Sequence, residues 1–149
     1  MLNPDFRDML SALNDAGVEY LLVGAYALAA HGYPRATGDI DLWVRPTPDN
    51  AGRVWAALQA FKALRSQVTE ADFAQPDIVF QIGVAPRRID LLTSISAVRF
   101  DDAWLRRRTI QVDGLPLHTL SREDLIANKR ATGRPKDLAD VAWLEASEE

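Results

Sequence analysis

The sequence predicts an α/β fold, a mixed sheet flanked by helices, on three observations. Segments with helical apolar spacing alternate with short apolar runs of strand length along the whole chain. Val18 to Val23 is apolar nearly throughout, as a strand covered on both faces is. Asp113-Gly114 lies between two short runs and signals a hairpin, hence antiparallel pairing. Hairpins among helices favour a mixed sheet over a doubly wound parallel one. The 149 residues suit one domain spanning 1–149.

The elements follow in order. Asn3-Pro4 starts a helix, with Asn as N-cap and Pro in the first turn; Phe6, Met9, Leu10 and Leu13 give it one apolar face, and Gly17 stops it. The strand Val18 to Val23 ends at Gly24. Ala25 to Ala30 is rich in helix formers, Gly32-Tyr33-Pro34 breaks that helix, and Arg35 to Gly38 is a loop. Asp39 to Val44 is the second strand. Thr47-Pro48 opens a helix whose buried stripe is Val54, Trp55, Leu58 and Phe61. Arg65 to Pro76 is polar and poorly periodic, a loop with a short helix in it. Ile78 to Gly83 and Arg88 to Thr93 are strands joined hairpin-fashion through Val84-Ala85-Pro86-Arg87. Asp101 to Leu105 is a helical turn. Thr109 to Val112 and Leu115 to Thr119 form the Asp113-Gly114 hairpin. Ser121 caps the next helix with Asp124 at the capping-box position, and Gly133 stops it. Pro135 starts the last helix, with Leu138, Val141, Ala142 and Leu144 as its core stripe.

Composition narrows the function. A net charge of -4 gives no global attraction to nucleic acid or an acidic membrane. No cysteine is present, so disulfides and thiolate metal sites are excluded. With His31 and His118 as the only histidines, a zinc site is disfavoured, and His31 reads as a structural residue at its helix end. The first ten residues carry charges and lack a signal-peptide core, and the apolar stretch from Tyr20 to Ala30 is too short to span a bilayer. A soluble, cytoplasmic protein is expected. Neither a P-loop nor a dinucleotide-binding glycine motif occurs. Arg106-Arg107-Arg108 reads as a solvated face or, where it borders a cleft, as a contact for RNA or an acidic partner.

Asp39 and Asp41 are the anomaly. Side chains alternate along a strand, so the two carboxylates share a face while Ile40 and Leu42 point into a core. Charges that close repel unless something positive lies between them. Asp90, in the apolar run Ile89 to Leu92, adds a third carboxylate on a candidate neighbouring strand. Three such groups can hold two Mg²⁺ (or Mn²⁺) ions for a phosphoryl-type displacement. Gly24 lets a phosphate approach the backbone where a helix begins.

Gly24-Ala25, then thirteen residues, then Asp39-Ile40-Asp41, resembles the signature of the DNA polymerase β-like nucleotidyltransferase superfamily. Ala27 to Thr37 is similar to the small bacterial nucleotidyltransferases related to AbiEii toxins and minimal nucleotidyltransferase antitoxins. Asn128 to Asp140 resembles their C-terminal helical segment. The resemblance runs from Val18 to Leu144, apart from the loop at 65–76. It implies the nucleotidyltransferase fold, with Asp39, Asp41 and Asp90 as catalytic metal ligands and Asp90 also as a base toward the acceptor. It puts Gly24 and Ala25 at the phosphate turn. Arg35 and Thr37, candidate nucleotide-binding residues, stand just before the Asp39–Asp41 strand, where Arg35 either touches a phosphate or the acceptor or orders the loop. Lys129 would reach the phosphates, and Arg134, Lys136 and Asp137 would lie near the same cleft. One departure stands out: the family usually has Gly or Ser where this chain has Ala25, so a hydroxyl contact to phosphate is lost while the backbone N–H remains.

Two functions are therefore expected. The first is a nucleotidyltransferase that moves a nucleoside monophosphate from an NTP, ATP first, to a hydroxyl on a protein, a tRNA end or a small molecule. A toxin–antitoxin setting with a cognate partner protein is part of that expectation. The second is a weakly active or inactive nucleotide- or partner-binding module of such a pair.

Overall fold

The computed structural model describes residues 2–33, 38–84 and 87–147. In chain order the elements are α1 (Pro4–Asp15), β1 (Tyr20–Val23), α2 (Gly24–Ala30), β2 (Ile40–Val44), α3 (Pro48–Phe61), a 3₁₀ turn (Glu70–Ala74), β3 (Val79–Ile82), β4 (Ile89–Leu92), α4 (Phe100–Leu105), β5 (Arg108–Val112), β6 (Leu115–Thr119), α5 (Arg122–Thr132) and α6 (Pro135–Ala146). No helix among the described residues is long and apolar enough to cross a membrane.

The strands form a six-stranded mixed sheet in the order β3-β4-β2-β1-β6-β5. β1 is antiparallel to β2 and parallel to β6; β2 is parallel to β4. β3–β4 and β5–β6 are antiparallel pairs, as their short connections require. The turn of the second pair uses left-handed backbone at both Asp113 and Gly114, which fits the twist of a tight hairpin.

The sheet has an apolar layer on each face. On one, α1 and α3 pack Phe6, Met9, Leu10, Leu13, Val54 and Leu58 onto Tyr20, Leu22, Ile40, Leu42 and Val44. On the other, Ala27, Leu28, Leu125, Ile126, Val141 and Leu144 cover Leu21, Val23 and Trp43. The alternation along β2 thus sends Ile40 and Leu42 toward α1 and α3, and Asp41 and Trp43 toward α5 and α6. Local signals set the helix starts. Asn3 Oδ1 accepts the Phe6 N–H at 3.0 Å, and Ser121 Oγ accepts the Asp124 N–H at 3.2 Å.

Several elements depart from the sequence expectation. β1 begins at Tyr20 and β2 at Ile40, so Asp39 stands just ahead of its strand. In α3 the buried stripe is Asn50, Ala51, Val54, Ala57 and Leu58, with Trp55 and Phe61 only half-buried at its rim. The polar stretch at 65–76 contains a fully buried Phe73, which meets the Phe80 ring edge-on at 6.0 Å. In α6, Leu138 is half-exposed and Ala142 exposed; Asp137, Asp140, Val141 and Leu144 face inward instead. Apolar periodicity cannot find a stripe that is half carboxylate. The Asp124 carboxylate takes the Arg106 guanidinium in a two-pronged pair at 2.7 and 3.1 Å, so Arg106 is tied to α5 rather than simply solvated.

Candidate active site

The register of β2 against β4 pairs Asp41 with Asp90, and that of β1 against β2 pairs Val23 with Asp41. These two pairings bring the end of β1, the start of α2 and two carboxylates to one place. Gly24 sits there with φ +66°, a backbone conformation that disfavours any side chain with a Cβ. A Cβ at this position would lie 2.4 Å from Asp41 Oδ2, well inside contact distance. Glycine is required on both counts. α2 opens from Val23 without a side-chain cap, so its first-turn N–H groups are not engaged by a capping side chain.

Asp90 is buried and Asp39 and Asp41 are half-buried. Burial, followed by the charge and hydrogen bond of Asp90 and the charge of Asp39, pushes the Asp41 carboxyl up to about 6; the Arg88 charge opposes this. Arg88 bridges the other two acids. Its Nε donates to Asp90 Oδ1 at 2.8 Å and its Nη2 to Asp90 Oδ2 at 3.2 Å. The same Nη2 stands 3.3 Å from Asp39 Oδ2, and the Arg88 backbone N–H donates to Asp39 Oδ1 at 3.1 Å. Among the described residues, no group of three or more acidic or histidine side chains is gathered tightly enough to hold a metal ion. The donor chemistry nevertheless fits a hard divalent cation: three carboxylates at one end of the sheet, with Asp41 adverse to its acidic neighbours.

Asp41 and Gly24 open onto a cleft of about 270 Å³, whose far wall is Asn128, Lys129, Thr132, Arg134 and Asp137 from α5 and the start of α6. Lys129 is only 7% exposed, and its Nζ lies 3.1 Å from Asp140 Oδ2 and 3.7 Å from Asp137 Oδ1. Burial alone would raise the Asp137 carboxyl. Hydrogen bonds from the Arg134 side chain, the Thr132 hydroxyl and the Arg134 amide, together with the Arg134 charge, overcome this and hold it at about 2. The cleft therefore has a charged wall whose members are already paired with one another. Another hollow, of about 350 Å³, lies between α2 and the β5–β6 hairpin and is lined by apolar side chains such as Leu22, Tyr26, Ile110 and Leu117.

The remaining sequence candidates are placed as follows. Ala25 is half-buried in the first turn of α2. Lys136 is exposed near the start of α6 and does not line the cleft. Arg35 and Thr37 lie outside the described residues. The His31 ring meets the Leu120 carbonyl through Nε2 at 2.8 Å, and Arg108 Nη1 lies 3.2 Å from its Nδ1. It ties the end of α2 to β5 and the residue after β6. Two site residues escaped the sequence reading. Arg88 stands two positions before Asp90, and the alternation that paired Asp39 with Asp41 would have placed it beside Asp90. Asp140 stands three positions after Asp137, one helical turn along the same face.

Comparison with known proteins bears on this geometry. A family model described as "Nucleotidyltransferase of unknown function (DUF6036)" matches residues 4–147. Among solved structures, the fold is similar to that of a Thermotoga maritima protein described as a candidate nucleotidyltransferase, with TM-score 0.64 and 14% identity, covering 99% of this chain and 97% of that one. It is also similar to the antibiotic-resistance factor ANT(2'')-Ia, with TM-score 0.62 and 14% identity, covering 94% of this chain and 80% of that one. No curated protein matches the chain in sequence.

Proposed function

The chain belongs to the DUF6036 family of nucleotidyltransferases, and from that premise we propose a divalent-metal-dependent enzyme that transfers a nucleoside monophosphate from an NTP to an acceptor hydroxyl. One observation carries this reading: Gly24 presses its backbone directly against Asp41, which is itself in register with Asp90. A phosphate-approach turn and a pair of carboxylates are thereby fused into one surface.

In the proposed reaction the acceptor oxygen forms a bond to the α-phosphorus, the bond from that phosphorus to the bridging oxygen breaks, and pyrophosphate leaves. Asp39, Asp41 and Asp90 would hold Mg²⁺ (or Mn²⁺), which when bound supplies charge neutralisation at the attacking and leaving oxygens. Asp90 accepts the acceptor's proton. Gly24 and the amides of the first turn of α2 approach the phosphates. Lys129 and Arg134 are paired with Asp137 and Asp140, so these four groups add no net charge to the facing wall and act by shaping it. Because little covalent chemistry is asked of the protein, most of the rate comes from positioning and electrostatics. The proposal takes 1–149 as one catalytic domain acting in the cytoplasm, ATP as the donor to test first, and a protein, an RNA end or a small molecule as acceptor. A toxin–antitoxin partner is the first acceptor to try.

Arg88 favours a second reading. A guanidinium already compensates Asp39 and Asp90, which a binding module without metal chemistry would need. One experiment separates the two. The protein is incubated with each α-labelled NTP, Mg²⁺ or Mn²⁺ and cell lysate. Transfer of label that disappears in Asp41→Ala establishes the enzyme. Absence of transfer, with nucleotide or partner binding unchanged in Asp41→Ala, leaves the module.

A further inference from the structure

Arg88 occupies both oxygens of Asp90 in a fork and reaches one oxygen of Asp39. These are the oxygens through which the proposed cation would be held, so this inference rests on the enzyme reading above. A guanidinium and a divalent cation repel each other and seek the same lone pairs. The Arg88 side chain is 31% exposed, whereas that of Asp90 is 9% exposed, so the arginine has a solvent side toward which to withdraw. Asp39 would keep its bond from the Arg88 backbone N–H, which does not depend on where the side chain lies. Once withdrawn, the guanidinium is a charged, planar donor without its carboxylates, and the phosphate oxygens of an NTP are the matching acceptor chemistry.

We propose that Arg88 is the resident counter-cation of this carboxylate cluster: it holds Asp39 and Asp90 while the metal is away, competes with the metal for them, and is released by pairing with the nucleotide's phosphates. Metal and nucleotide binding are then coupled, because each removes a cost that the other would meet alone. The arginine keeps the bare cluster from taking up metal before substrate is present.

The test measures Mn²⁺ affinity by titration with electron paramagnetic resonance, for wild type, Arg88→Gln and Arg88→Lys, with and without a non-hydrolysable ATP analogue. Without nucleotide, Arg88→Gln should bind Mn²⁺ about tenfold more tightly than wild type, the effect of removing one positive charge several ångströms from a divalent ion in a well-solvated site. With the analogue, that advantage should shrink or reverse. Arg88→Lys keeps the charge without the fork and should fall between the two, which also serves if the glutamine variant does not fold. Equal Mn²⁺ affinity in all three proteins, or an advantage that nucleotide leaves unchanged, would overturn the role of Arg88 alone. Failure of wild type and Arg88→Gln alike to bind Mn²⁺ even with the analogue present, or binding indifferent to Asp41→Asn, would sink the metal-enzyme reading and this inference with it.

Discussion

A methyl group at position 24 has no room and no comfortable backbone. Gly24→Ala meets Asp41 Oδ2 at 2.4 Å and must also adopt φ +66°. The expected loss of stability is about 1–3 kcal/mol, read by urea denaturation, together with loss of nucleotidyl transfer. Full activity in a stably folded alanine variant would show that the close approach is not used. Asp41 carries a second consequence. Its folded carboxyl titrates at about 6, above the unfolded value of about 3.9. The folded state therefore binds the proton more tightly, and this group costs stability as pH rises through that window, with the full cost present above it. Asp41→Asn should match wild type near about pH 4 and exceed it by about 1–3 kcal/mol at about pH 7.5 without metal. Denaturation across that range in chelator checks it; a difference that stays flat with pH would refute the assignment to Asp41.

The pair α5–α6 shows where element-level reading succeeds and where it stops. Ser121 and Gly133 marked the ends of α5, and Pro135 the start of α6, because caps and breakers act within a turn. On α6, apolar spacing finds Val141 and Leu144 but also selects Leu138 and Ala142, which turn outward while Asp137 and Asp140 turn in. Beside the apolar cluster that Leu125 and Ile126 share with Val141 and Leu144, the helices are joined by Lys129 against Asp140 and Asp137, all buried. A buried carboxylate is tolerable only with its partner, a long-range pairing that the sequence does not display. Lys129→Met should cost about 1–3 kcal/mol by taking a charged partner from the buried Asp140 and Asp137, measured by chemical denaturation. Adding Asp140→Leu should recover much of it. If Lys129→Met alone is neutral, the pairing does not hold the helices together.

At the scale of the molecule, apolar flanks single out Asp39, Asp41 and Asp90 as candidates, though it is the parallel register of β2 and β4 that sets Asp41 beside Asp90; the β3–β4 and β5–β6 pairs were legible because their connections are short. Pairing of β1 with β6 was not, since no local signal links Leu22 to Thr119. Arg88, two residues before Asp90, is not legible as its partner, because a charged residue at the start of an apolar run reads only as the boundary of the strand. The parallel and long-range pairings also govern the order of events when the chain folds. Leu22 accepts a bond from Thr119 across a separation of 97 residues, and Asn14 reaches the Pro116 carbonyl across 102. Parallel pairing of β2 with β4 must likewise wait until α3 and the turn after it have been threaded between them. Such closures are slow steps that follow local helix and hairpin formation. Asp90 consequently joins Gly24 and Asp41 late. A nascent or half-folded chain carries no working fragment of this surface, so whatever chemistry it performs is confined to the finished molecule.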